Sequence, residues 1–548
     1  MARRNRNNIL AGDEVLVPGT IVLLDPRHVL SRHAKNNSDI VLVPTPSDDP
    51  EDPLNWAPLR KTLALSCMLL YVFAVGVETA VLTSILVPFS IFSTISIPDL
   101  INGNGYSYLL AGWGLLFWQP FALQYGKRLT YLATFAGVTA INIWMAYCRS
   151  NTPWIIVNVL SGFFAATVEA LPENTIVDLY FTHERGSLLA LYALALIGGS
   201  TVGGVIAGFI CDALGPEWVF FIPTIFGGGV WIFMLFFMEE TNYNREATGM
   251  VQNVVDSELV QDTLVASTLP TSKKEHVEQA VTPTVVGSVE YKPKTFFQKL
   301  SLVSNQKRGN FWFIAWNQVR FATWPVVLFS GFMYGLNLVW TVVFGFTSST
   351  ILSAPPYNFS ASMVGLTGLA ALVGIFASVL TSGKLNDIIM LRLVKRNDGV
   401  YEPEMRLWLF SIAVLLIPAS IILWGVGAAH GIPWMGLMTA SALLAFANTL
   451  SVPLSVNYVI DSYRDMAGAA LTVVIIIRNT MYFAISYGIS PWIEGMGMQN
   501  AYILCAFIAL ITTASFLIMV KWGKEIRQKS AVKYWALRKE SIDRGVVH

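Results

Sequence analysis

The feature that most constrains this chain is the recurrence of apolar stretches about 20 residues long, the length a helix needs to cross a bilayer. They fall near 61–84, 106–126, 130–148, 154–178, 187–210 and 217–238, then near 323–347, 361–382, 406–427, 433–456, 466–490 and 499–521. In hydrocarbon every backbone N–H and C=O must find a partner inside the protein, so segments of this length fold as helices. Charged residues supply only 13% of the 548, against roughly 25% in a soluble domain. The chain is predicted to be an all-α, multi-pass membrane protein.

The stretches come as six, a long polar interval and six more, a two-fold repeat in hydropathy. This divides the chain into a polar tail (1–60), a six-helix bundle (61–238), a linker (239–322), a second six-helix bundle (323–521) and a tail (522–548). The middle of the linker carries no periodicity and reads as disordered. Its end, FFQKLSLVSNQKRGNFWFIAWNQVRF, mixes aromatic with basic residues and suits an amphipathic helix on the membrane surface. Lysine and arginine fix the orientation. Arg60, Lys61, Lys127, Arg128, Arg185, the linker, Lys384, Arg392, Lys395, Arg396, Arg464 and Lys521 to Lys539 fall on one side, which places both termini in the cytoplasm. Arg149 is the exception. On the other side Asn358-Phe359-Ser360 is a glycosylation sequon, whereas Asn36-Asn37-Ser38 lies in the cytoplasmic tail and should stay bare.

Several function classes lose support. A net charge of +1 gives no basis for nucleic-acid binding, and four scattered cysteines offer neither a disulfide framework nor a zinc spacing. The six histidines are dispersed, so no metal is expected. The chain lacks a GxxxxGK[ST] run, which disfavours ATP-driven pumping. MARRNRNN is basic but leads into no hydrophobic signal-peptide core. No nucleophile constellation stands out, so neither an enzyme nor a cofactor is expected.

Function concentrates in the polar residues that interrupt the spans. VEALPENTIVDLYFTHERG, 168–186, places Glu169 and Glu173 at membrane depth, four apart on one predicted helix face, with Pro172 loosening the backbone between them. A carboxylate there costs about 2.5–3.5 kcal/mol on insertion scales and must face a partner or water. Arg478 lies near the midplane of the eleventh span and reads either as a structural ion pair or as a charge lining the space between the halves. Glu78, in the first span, either accepts a hydrogen bond from another helix or joins Glu169 and Glu173 in an acidic wall. Of the three, Glu169 is the first candidate for carrying a proton. Asp178 with Arg185 reads as a latch, and Asp461 with Arg464 as its counterpart in the other half. Asn337, Trp340, Asn448 and Asn457 read as interhelical hydrogen-bonding groups or pathway contacts. Tyr482, Phe483 and Tyr487 suit a pocket for a flat or cationic solute.

The motifs resemble a known family. Two six-span halves joined by a linker are similar to the major facilitator superfamily. SDDPEDPLNW before the first span resembles the lead-in of its fungal twelve-helix drug:proton antiporter-type members. EALPENTIVDLYFTHERG resembles their fourth helix, and RNTMYFAISYGISPWIEGMG their eleventh. GKLNDIIMLRLVKRNDGVYEPEMRLW resembles their second-half loop, with Gly383 and Asp387 in the GxxxD positions of its latch. Two departures stand out. Leu123 occupies the place of an acid that helps latch the inward gate, and Gln119 replaces a glycine. In the fifth span Gly203-Gly204 stands where the antiporter motif has Gly-Pro, amid glycines at 198, 199 and 208 that let two helices approach closely.

The resemblance implies the major facilitator fold, two six-helix bundles around a central cavity, acting as a monomer. It further implies a proton-coupled exporter of a small organic molecule, such as a drug-like compound or secondary metabolite, in the cell membrane or the vacuolar membrane. The rival readings are a proton-coupled importer of organic cations or polyamines, which the acidic residues and the missing proline suit, and a non-transporting membrane sensor.

Overall fold

The structure is a computed structural model that describes residues 17–22, 51–242, 300–301, 310–397 and 400–543. The middle of the linker and Asn36 lie outside the described residues. Eleven helical stretches among the described residues are long and apolar enough to cross a membrane. The second expected span is the remaining crossing. It is built from α3 (Ile97–Trp113) and α4 (Leu115–Tyr125), which meet at Gly114. It begins earlier than its hydropathy suggests because Ser96 caps it, its Oγ accepting from the Asp99 N–H at 3.2 Å.

The first crossing is likewise double, α1 (Pro58–Ala80) followed by α2 (Leu82–Ser93). After α5 (Lys127–Ala146), the fourth crossing breaks into α6 (Asn151–Ala165), a 3-10 turn (Ala166–Glu169) and α7 (Leu171–Leu179). The fifth and sixth crossings are α8 (Thr182–Leu214) and α9 (Trp218–Phe237). Of the linker end expected to be amphipathic, Phe311–Arg320 forms a helix, α10, and 302–309 lie outside the described residues. The second half comprises α11 (Pro325–Ser353), α12 (Ala361–Leu366) with α13 (Gly368–Arg396), α14 (Phe410–Ala429), α15 (Trp434–Ser462), α16 (Ala467–Met496), and α17 (Met498–Ala514) with α18 (Phe516–Asp543). The chain thus forms two six-helix bundles, one on each side of the linker. The C-terminal residues 522–543 are helical and continue the last helix.

Each half has its own core. In the first, Tyr71, Tyr131 and Phe135 pack edge to face, and Trp154 packs on Phe89. In the second, Phe344 stacks on Trp424. The halves meet along three seams, α3 on α16, α8 on α12, and α2 on α11. Close approach in the first seam requires Gly112, where any Cβ would meet the Asn479 side chain. The glycine-rich fifth span works as expected. Gly199 and Gly203 lie against the α1 backbone, and Gly208 against Ala361 of α12.

One contact had no sequence forewarning. Ile21–Val22 (β1) pairs antiparallel with Val400–Tyr401 (β2), which docks part of the N-terminal tail on the second half. Arg527 of α18 supports it, donating to the Pro18 carbonyl at 2.5 Å.

Candidate functional site

The site begins with a broken helix. Pro172 has no N–H to continue the ladder, and its ring clashes with the preceding turn, so the fourth crossing cannot run straight through. The chain instead tightens into the 3-10 turn ending at Glu169 and restarts at Leu171. Glu169 and Glu173 therefore do not share one continuous helix face, which corrects the expectation from their spacing. Carbonyls freed at membrane depth need new donors. Tyr192 Oη of α8 supplies one, reaching the Val168 carbonyl at 3.0 Å. Thr167, within the turn, bonds Tyr71 Oη at 2.7 Å and Thr134 Oγ1 at 3.1 Å. The break is held from both sides.

Glu169 projects from this turn to the second half, where its Oε2 forms an ion pair with Arg478 of α16. Arg478 is thus part of an ion pair that bridges the halves. Arg478 is 6% exposed, and its guanidinium reaches Tyr334 Oη at 2.7 Å and Asn479 Oδ1 at 3.0 Å. It lies 4.8 Å from the Tyr334 ring centroid and 5.5 Å from that of Tyr482. Tyr108 of α3 packs edge to face on Tyr482 at 5.3 Å. The Arg478 Nε has no partner among the described residues. Glu173, half-buried, makes no ion pair among them. The cluster holds two carboxylates, one guanidinium and three tyrosines; the Glu169–Arg478 ion pair and the Tyr108–Tyr482 ring contact cross the boundary between the bundles. Tyr334, Asn479 and Tyr108 carry no charge and no distinctive spacing, and sequence reasoning missed them.

Glu78 is not part of this cluster. It is buried between α1, α5 and α9, accepting from Thr139 Oγ1 at 3.2 Å and Asn142 Nδ2 at 3.1 Å. Its position fits the hydrogen-bonding alternative and not an acidic wall. Asn337 accepts from Thr513 at 3.2 Å, and Asn448 donates to Thr341 at 2.6 Å, both as interhelical bonds. Asn337 Nδ2, Asn448 Oδ1 and Trp340 Nε1 have no partner among the described residues. Phe483 and Tyr487 lie away from Arg478, against Tyr106, whose Oη accepts from Tyr487 Oη at 2.7 Å.

The latches differ in their partners. Asp178 takes Lys127, not Arg185, as its ion-pair partner at 2.6 Å, inside the first half. Arg185 instead donates to the carbonyls of Tyr180 and Val177, each at 3.0 Å, at the open end of α7. Asp461 is paired with Arg406 at 3.1 Å and accepts from Tyr401 Oη at 2.5 Å, while Arg464 is exposed. In each case a residue brought in from a different helix or loop takes the carboxylate in place of a neighbour in sequence. Gly383 and Asp387 lie on α13, and their side chains fall outside the described residues. Leu123, where an acid is expected, makes no ionic latch, and Gln119 one turn earlier accepts from Thr472 of the other half. The cross-half tie at this end is a neutral hydrogen bond.

The arrangement is that of a membrane carrier, with a charged cluster held between two helical bundles. Residues 66–491 match the sequence profile of the Major Facilitator Superfamily. The chain belongs to that superfamily. It is 26% identical to Protein HOL1 of Saccharomyces cerevisiae, over 97% of this chain and 98% of that one. It is 25% identical to Efflux pump radE of Floropilus chiversii, over 94% of this chain and 89% of that one. Among solved structures, a D-xylose-proton symporter superposes with a TM-score of 0.53 at 13% identity, covering 83% of this chain and 96% of that one. That likeness is one of fold.

Proposed function

We propose that this transporter is a proton-coupled exporter of a small organic molecule. The observation that carries this reading is the Glu169–Arg478 ion pair between the bundles, with Glu173 beside the same break. Substrate entering the space between the halves competes for the pair, and its release frees the bundles to rock. Pairing with Arg478 removes Glu169 as the first choice of proton carrier. Glu173 takes up or gives a proton without first breaking an ion pair, and we assign it the coupling role. The name of Efflux pump radE, a relative along nearly the whole chain, supports export.

A second reading is import of an organic cation. Two carboxylates against one guanidinium leave the cluster one negative charge in excess, and three tyrosine rings suit a cation. Proteoliposomes separate the readings. Under an imposed pH gradient, Glu173→Gln should abolish gradient-driven flux yet keep substrate exchange at equal pH. Full gradient-driven accumulation in Glu173→Gln overturns the coupling assignment. The direction of net flux in inside-out against right-side-out vesicles chooses between export and import.

The division into tail, bundle, linker, bundle and tail, with both termini cytoplasmic and the protein a monomer in the cell membrane, belongs to the same proposal. Asn358 supports the orientation. It is exposed, at a φ of 52° that asparagine tolerates, in the loop between α11 and α12. Endoglycosidase should shift the wild-type band and leave Asn358→Gln unshifted. An epitope tag at either terminus that antibody reaches on intact cells overturns the orientation.

A further inference from the structure

Away from the central cluster, a groove of about 420 Å³ opens between the start of α11 and the middle of α18. Its floor is apolar, formed by Trp324, Pro325 and Ile526. On its rim Lys529 and Lys533 stand four residues apart, so their ammonium groups lie on one face of α18 within a single turn. Both are exposed, and neither makes an ion pair among the described residues. No side chain caps α11 at this end, so its positive helix end adds to the same field. The rim suits an anion and the floor suits hydrocarbon. One molecule must therefore supply both.

The surroundings put the groove at headgroup level. α10 is fastened to the far end of α18 by Arg320–Glu540 at 2.7 Å, and it exposes Trp312 (76%) and Trp316 (61%). Tryptophans exposed on an amphipathic helix beside the ends of membrane spans belong at a bilayer interface. Val532, 64% exposed on the same helix, adds apolar surface beside the lysines.

We propose that this groove binds an anionic phospholipid. The phosphate sits between Lys529 and Lys533, and an acyl chain lies over Trp324, Pro325 and Ile526. A bound lipid would tie the start of the second bundle to the C-terminal helix.

The test uses the purified full chain in dodecyl maltoside, with lipid binding measured by native mass spectrometry. Wild type should hold phosphatidylserine about 30-fold more tightly than phosphatidylcholine, the preference expected of two lysines near an anionic headgroup. Lys529→Ala/Lys533→Ala should bring that preference to within about threefold while leaving Tm unchanged, because both side chains are exposed. Lys395→Ala/Lys539→Ala, which removes the same charge elsewhere, should leave it intact. Three results would overturn the proposal: no preference in wild type, an equal loss in the control pair, or soluble glycerophosphoserine binding as tightly as the lipid.

Discussion

Glu169 and Arg478 meet across the boundary between the two bundles, one carried by the 3-10 turn of the fourth crossing and the other by α16. Removing one partner of a buried pair leaves an uncompensated charge, at a cost of about 3–5 kcal/mol. Arg478→Ala should therefore lower the Tm and membrane yield of purified protein, and adding Glu169→Gln should restore more than half of the loss. Arg478→Lys keeps the charge but gives up the fork that reaches Tyr334 and Asn479 together, so it should fall between wild type and Arg478→Ala. If the double variant is no more stable than Arg478→Ala, the pair is not what the arginine contributes.

Arg527 makes the stronger structural claim outside the centre. It is fully buried and grips Glu404 with two bonds of 2.8 and 2.7 Å, while Tyr458 Oη reaches the same carboxylate at 3.2 Å. Arg527→Ala should cost about 3–5 kcal/mol of stability. Lys524→Ala, which breaks the half-exposed pair with Glu402 one turn away, should cost no more than about 1 kcal/mol. Chemical denaturation of the two variants side by side checks the contrast.

The spans were legible because their signal is local: about 20 apolar residues suffice to specify a helix in lipid. The polar breaks were legible too, since Glu169 and Arg478 stand out against apolar neighbours. Their partners were not. Asp178 sits near Arg185 in sequence but bonds Lys127, and Asp461 sits near Arg464 but bonds Arg406. Helix packing decides such choices, and packing brings together residues whose separation in sequence carries no pattern. For the same reason the polar tail gives no sign of a strand, although Ile21 and Val22 find a partner at Val400–Tyr401. Glu404 and Arg527 lie in polar stretches where charge is ordinary, so nothing in the sequence marks them as buried.

Glu240 links stability to pH. Burial pushes its carboxyl above the ordinary 4.5, although the N–H groups of Asn242, Lys127 and Arg128 favour the ionised form. A carboxyl raised on folding adds stability that is fully present below its unfolded value and is lost as pH climbs through the folded one. The Tm gap between wild type and Glu240→Gln should thus move in favour of wild type as pH falls from about 8 to about 5. Movement the other way would mean that the three N–H bonds outweigh burial.

The last prediction removes Glu78 from the transport pathway. Its carboxylate sits between Thr139 and Asn142 of α5, and on its other flank it touches α9 so closely that any Cβ at Gly227 would collide with Oε1. Among the described residues no hydrogen bond or ion pair joins it directly to Arg478 or Glu173. Glu78→Gln keeps an acceptor oxygen for these donors in nearly the same volume, so gradient-driven transport should stay within about twofold of wild type, under 0.5 kcal/mol by the tenfold-per-1.4 kcal/mol rule. Glu78→Ala strands the Asn142 amide and opens a void, which should cost about 1–3 kcal/mol of stability while the substrate KM of the folded fraction is unchanged. Gly227→Ala should destabilise wild type yet be tolerated on the Glu78→Ala background, where the obstructing oxygen is gone. A Glu78→Gln protein that folds normally but no longer couples substrate to the pH gradient would return this residue to the proton path and require a second acidic site inside the first bundle.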